Sequence, residues 1–222
     1  MSIPAIRGSS CSASPDRAAE NKARDEVRKP IETIQFLGIK TGQTVIDVVA
    51  FGGWFTEVLS AAVGPSGKVL AQNPMFFTQR PGFADTEKAL HDRLGNVMAV
   101  HGDLGANGVT AQADAAITAL NLHDIYNMQG EEGAVAFLKD VYGALKPGGV
   151  FGIVDHVGVA GQDNAAFHRI EIAKARDVIT KAGFTIEAES DILHYAGDDH
   201  TKPVFQMGRH TDQFLIRARK PR

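Results

Sequence analysis

Apolar runs of strand length alternate with helix-length segments along most of the chain, at residues 44–49, 55–63, 68–72, 85–94, 97–101, 113–120, 131–145, 150–154 and 170–182. Continuous apolar strands separated by amphipathic helices are the pattern of a parallel sheet buried on both faces, so the class is α/β. The clearest helix is 131–145: Val135, Leu138, Val141, Tyr142 and Leu145 recur at helical spacing, and Lys146-Pro147-Gly148-Gly149 ends the run. Ahead of the alternation, Ser14-Pro15 reads as an N-cap with Pro at the first helical position. A charged helix then runs to Arg28, and Pro30 interrupts it. A second short helix, 30–37, turns Ile31, Ile34, Phe36 and Leu37 inward and stops at Gly38. The division is therefore an N-terminal helical arm, 1–38, folded over a domain at 39–222. Beyond Gly183 the period changes to two. Residues 184–190 and 213–219 alternate as half-exposed antiparallel strands do. Between them, 193–212 is rich in His, Asp, Gly and Pro and is too long for a simple hairpin, which makes it a functional-loop candidate. No internal repeat is visible.

The 222 residues suffice for one well-cored domain with an appendage. Hydrophobic residues at 44% and charged residues at 22% exclude disordered and fibrous classes. The 23 Lys and Arg are scattered against 26 Asp and Glu, leaving no footprint for nucleic acid. The longest stretches without charged residues, such as 48–56 and 58–67, fall short of the ~18 residues a bilayer span needs, so no membrane partner is expected. Residues 1–14 have no apolar signal-peptide core, as a processed N-terminus would not either, and the expected location is cytoplasmic. Cys11, in a Ser-rich leader, reads as a free surface thiol.

The segment 44–60, TVIDVVAFGGWFTEVLS, carries the strongest chemical signal. A buried strand ends in an acid, Asp47, and a turn with Gly52-Gly53 leads into an amphipathic helix. Glycines at such a turn let backbone N–H groups approach a ligand beyond the carboxyl ends of the strands, although a tight turn alone also asks for glycine.

That segment, the second strand opening Gly67-Lys68-Val69, VHGD ending in Asp103, LNLHDIYN after strand four and LKPGGVFGIVDH together resemble class I S-adenosylmethionine (SAM)-dependent methyltransferases. The ending DDHTKPVF…RHTDQFLIRARKP is similar to a narrower bacterial group of predicted methyltransferases. The resemblance implies a Rossmann-like, seven-stranded, mostly parallel sheet with helices on both faces and a C-terminal antiparallel strand. It implies SAM as cofactor and a small molecule as methyl acceptor. Asp47 would orient the methionine end, Gly52 and Gly53 would let the backbone pass close, and Asp103 with Leu104 would hold the adenine. Asn121 joins the implied contacts, and Phe51 and Trp54 would offer aromatic faces to the sulfonium. Two departures stand out. Asn73 occupies the position that usually holds an acid for the ribose hydroxyls, and Val49 and Phe51 replace the first two glycines of D-x-G-x-G-x-G.

His123-Asp124 and Asp155-His156 follow strands four and five, so both pairs belong to the carboxyl rim. A histidine titrating near neutrality suits proton removal from an attacking hydroxyl, amine or carbon acid, and His123 is the expected base with His156 and Asp155 beside it. Capping of loops and helices is the other use of rim His and Asp residues. Tyr126 reads as a packed loop aromatic or a substrate hydrogen-bond donor. The tail adds His194, Asp198, Asp199, His200, Arg209, His210 and Asp212, but no pair has H-x-H or H-x-x-x-H spacing, so no metal is expected. That loop is expected to lid the crevice or to make a homodimer contact. Two other readings fit the same fold: an acid–base enzyme of isomerase or hydrolase type that no longer uses SAM, and a non-catalytic binder of a small ligand.

Overall fold

The computed structural model describes Ser14, residues 17–208 and residues 210–222. Cys11, Pro15 and Arg209 lie outside these, and with them the expected surface thiol and the Ser14-Pro15 helix start.

Five strands run parallel in the order β3 (Val97–His101), β2 (Lys68–Asn73), β1 (Thr44–Val48), β4 (Ala113–Ala119) and β5 (Leu145–Gly158). Beyond β5 lies β8 (Gln213–Arg219), antiparallel to both β5 and the edge strand β7 (Thr185–Ser190). A two-residue β6 (Ile170–Glu171) pairs with the end of β5, one strand more than the seven expected. The reversal of order between β1 and β4 opens a crevice at the carboxyl ends, where α/β sheets bind ligands.

Helices cover both faces, each for an apolar reason. On one face α3 (Pro30–Leu37), α4 (Trp54–Val63) and, after the short α5 (Met75–Thr78), α6 (Phe83–Arg93) bury Ile34, Leu37, Val58, Leu59 and Leu90 against β1 and its neighbours. On the other, α7 (Leu122–Ala144) and α8 (Ile172–Lys181) bury Leu138, Val141, Val178 and Ile179. Leu37 comes so close to β5 that a Cβ on Gly152 would sit 2.5 Å from it, so the arm's last helix belongs to the core. Gly38 ends α3 in the left-handed conformation, as its position predicts.

Four expectations change. The charged N-terminal run forms two short helices, α1 (Ala19–Lys22) and α2 (Asp25–Arg28), parted by a turn at Ala23 and Arg24, and the left-handed Lys29 ends the second before Pro30. The polar segment after β4 is the first part of α7, with a break at Gly130 (φ 72°), so His123 stands in a helix's first turn and not in a loop. The segment expected as a helix from 170 starts as β6. Finally, β8 is a buried interior strand: Phe214, Leu215 and Ile216 form an unbroken apolar run because sheet lies on both of its edges and helices on both of its faces. Strand β7 keeps the half-exposed alternation of an edge.

Candidate active site

Asp47 ends β1 with its carboxylate buried, accepting a 2.6 Å hydrogen bond from the Thr56 hydroxyl in the first turn of α4. The following loop takes the left-handed conformation at Val49 (φ 58°), Phe51 (φ 47°) and Gly53 (φ 76°), the three positions at which the motif carries glycine. A β-branched or aromatic residue there costs about 1–2 kcal/mol, so something must hold the turn. Two amides at the end of β2 do so. Gln72 Oε1 accepts the Val49 N–H at 3.0 Å, and Asn73 Oδ1 accepts the Phe51 N–H at 2.7 Å. Gly52 faces open space, whereas a Cβ on Gly53 would meet Leu90 at 2.7 Å. The Phe51 ring points outward and packs edge-on against Phe77, with Arg80 over both rings.

Other residues singled out from the sequence are engaged within the protein. Trp54 is 4% exposed; its indole N–H donates to the Asn21 carbonyl, and the Arg28 guanidinium lies 4.7 Å above its ring. The Leu104 N–H donates to Asp140 at 2.7 Å, and Leu104 itself is core, while Asp103 is exposed. Asn121 precedes α7 and donates to the Ala119 carbonyl and the Thr118 hydroxyl. Tyr126 packs against the core, with Lys174 near its ring.

The histidines converge. Asp155, fully buried at the end of β5, accepts from His123 Nδ1 at 2.6 Å and from the backbone N–H groups of His123 and His156 at 2.8 and 2.7 Å. The His123 and His156 rings lie 5.5 Å apart. Burial works against charge on His123, but Asp155 and a second carboxylate, Asp124 at 3.2 Å from Nε2, outweigh it and raise its pKa to about 10. Burial wins at His156, pulling it down to about 4, and its Nδ1 has no partner among the described residues. His123 is thus an imidazolium at neutral pH, a donor where a base was expected, and His156 is a neutral acceptor.

His156 lines a cavity of about 160 Å³ with Arg24, Arg28, Leu120, Phe205 and Gln213. Arg28, which lines this cavity, bears electrostatically on both Asp47 and His156. The loop 193–212 forms its far wall. Within that loop Asp198 is held by Arg169, and Asp212 accepts from the rings of His194 and His200. Arg28, His168 and Arg169 carry no local motif, and sequence reading passes over them; only the crossing of distant segments brings them here.

Burial pushes the Asp47 carboxyl up to about 6 despite the bonds from Thr56. Proton uptake by Asp47 therefore favours folding. That contribution is complete below about pH 4 and lost as pH rises through about 6. Asp47→Asn, which keeps an acceptor for Thr56, is expected to raise stability above pH 6 by roughly 3 kcal/mol and to flatten this slope. Denaturant titrations from acid to neutral pH check it, and parallel curves for the two proteins would disprove it.

Among solved structures, a SAM-dependent methyltransferase from Aquifex aeolicus matches over 89% of this chain and 98% of its own, with TM-score 0.63 and 17% identity. One from Mesorhizobium loti matches over 85% and 95%, with TM-score 0.58 and 15% identity. The [4+2]-cyclase SpnF matches over 94% and 85%, with TM-score 0.61 and 18% identity. No family model and no curated protein matches the chain. Among the described residues no helix is long and apolar enough to cross a membrane. At these identities the likeness is one of architecture: the chain has the class I fold of SAM-dependent methyltransferases.

Proposed function

We propose that this protein is a SAM-dependent methyltransferase whose acceptor is a small molecule bound in the cavity beside His156, of the bacterial kind that its C-terminal motif resembles. The observation that carries the reading is the loop after β1. It keeps the left-handed backbone at Val49, Phe51 and Gly53 although two of the three are not glycine, and a buried Asp47 stands at its root. A strained turn and a carboxylate retained at a cost in stability are what a binding site asks for and a turn alone does not.

The residues present fit the methionine end of SAM, where Asp47 and the open backbone at Gly52 would hold it. They fit the adenosine end less fully. Asn73 Oδ1 and the Leu104 N–H already have partners, which leaves the Asn73 amide N–H and the exposed Asp103 carboxylate as its contacts. When bound, SAM supplies an electrophilic methyl group. The chain positions the acceptor in the crevice, with neutral His156 accepting its proton and the His123 imidazolium donating to an anionic oxygen. The loop 193–212 walls the cavity and, beyond it, offers a surface for a second copy. No nucleic-acid or membrane partner enters this reading, and its setting is the cytoplasm.

A second reading, the fold put to acid–base chemistry without SAM, is favoured by the engaged Leu104 N–H and by Arg28 occupying the face of Trp54. Calorimetry with SAM and S-adenosylhomocysteine separates the two. Binding is expected in the wild type, and Asn73→Asp is expected to tighten it about five-fold, since a carboxylate accepts from Phe51 and still offers an oxygen to the ribose. Silence of both proteins at millimolar ligand would leave the second reading standing.

A further inference from the structure

We infer that His123, Asp124 and His168 form a site for one divalent transition-metal ion at the mouth of the crevice. The three bring a ligand atom each to within 4.8 Å of one another. Asp124 Oδ1 lies 3.2 Å from His123 Nε2 and 3.0 Å from His168 Nδ1, and ligands about 2.1 Å from a common ion at right angles stand about 3 Å apart. The support behind the first ligand is what a metal site requires. His123 gives its other ring nitrogen, Nδ1, to the fully buried Asp155 at 2.6 Å, which fixes the ring and leaves Nε2 facing Asp124, where the ion takes the place of the Nε2 proton. A carboxylate behind a metal-ligating histidine is the usual arrangement for setting tautomer and basicity. The N-terminal end of α7 opposes a cation by a fraction of a charge, and the Asp124 and Asp155 carboxylates outweigh it.

Two imidazoles and one carboxylate select first-row transition ions over Mg²⁺ and Ca²⁺, which prefer oxygen ligands throughout. Asp124 and His168 are each about half exposed, so protein ligands occupy one side of the ion and leave the other open. His168 stacks edge-on at 5.3 Å against Phe205, which lines the cavity with His156. The open side is therefore within reach of a substrate in that cavity, and the ligand class that completes such a site is an oxygen donor, a hydroxyl or carboxylate whose ionisation the ion promotes. This last role rests on the methyl-transfer reading; the binding of the ion does not.

The test is a calorimetric titration of the full chain, stripped of metal and free of SAM, with Zn²⁺ and Co²⁺, and with Mg²⁺ as a contrast. One equivalent of Zn²⁺ or Co²⁺ is expected to bind, with visible absorption from the Co²⁺ complex, and Mg²⁺ to stay silent at about 1 mM. Asp124→Asn and His168→Ala, both at half-exposed positions outside the core, are expected to weaken binding at least 100-fold. Asp155→Asn is expected to weaken it about 10- to 100-fold. Lys88→Ala, on the exposed face of α6, should change nothing. Unaltered affinity in His168→Ala and Asp124→Asn, or no stoichiometric binding in the wild type, overturns the site. SAM binding measured on the same preparations reports separately on the methyltransferase reading.

Discussion

Asp155→Ala is expected to destabilise the protein by about 3–5 kcal/mol, seen as a lowered denaturant midpoint with an unchanged slope. The carboxylate is wholly buried and accepts three hydrogen bonds, two from backbone N–H groups and one from the His123 ring. Its removal leaves a buried imidazole without its counter-charge and two donors without an acceptor. Because the fault lies in an orphaned partner, the double variant Asp155→Ala with His123→Leu is expected to recover part of the loss, although the backbone donors remain unpaired. A single-variant loss below about 1 kcal/mol would show that water reaches the site and that Asp155 does not anchor it. Both rings of the crevice should lose their fixed positions in Asp155→Ala, which the imidazole NMR signals of His123 and His156 report directly.

A comparable loss, about 3–5 kcal/mol, is expected for Arg169→Ala. The Arg169 side chain is inaccessible to solvent and holds Asp198 through two parallel bonds of 2.9 and 3.0 Å. It also donates to the Val157 carbonyl at 3.1 Å and to the Lys202 carbonyl, and Asp198 in turn accepts the N–H groups of His200 and Asp212. One guanidinium thus ties the end of β5 to both arms of the loop 193–212, the wall of the cavity. Arg169→Lys is expected to retain little of this, since an ammonium cannot form the planar fork. Limited proteolysis gives the sharper readout: cleavage within 193–212 should appear in both variants before global unfolding. A loop that stays resistant in Arg169→Lys would mean that charge alone holds it.

The core of the fold is legible in the chain because burial imposes its period directly. Strands buried on both faces carry unbroken apolar stretches, as Val45-Ile46 in β1, Val69-Leu70-Ala71 in β2, Ala115-Ala116-Ile117 in β4 and Ile153-Val154 in β5 do. Gly38 and the helix 131–145 likewise declare themselves by local chemistry. The position of β8 is different: FLIRAR alternates only in its second half, and whether such a segment lies at an edge or inside depends on which neighbours pair with it.

The site divides along the same line. Asp47 at a strand end, the motif around it and the two His-Asp pairs are contiguous in sequence, and residue type with spacing suffices to single them out. Which of the two histidines carries charge is decided by Asp155 and Asp124 together against burial, a balance of opposing electrostatic effects that only the packed structure sets. The same holds for Asn73, whose oxygen is spent on the turn that Val49 and Phe51 strain. The expectation of no metal rested on spacing within the tail. The cluster of His123, Asp124 and His168 joins residues more than forty positions apart, and proximity of that kind comes from chain reversal through α7, β5 and the loop that follows β5. Local sequence thus determined the strands, the turn and the chemistry-bearing residues of this protein. Tertiary structure decided their partners, because hydrogen bonds and charges act over a few ångströms of space and not along the chain.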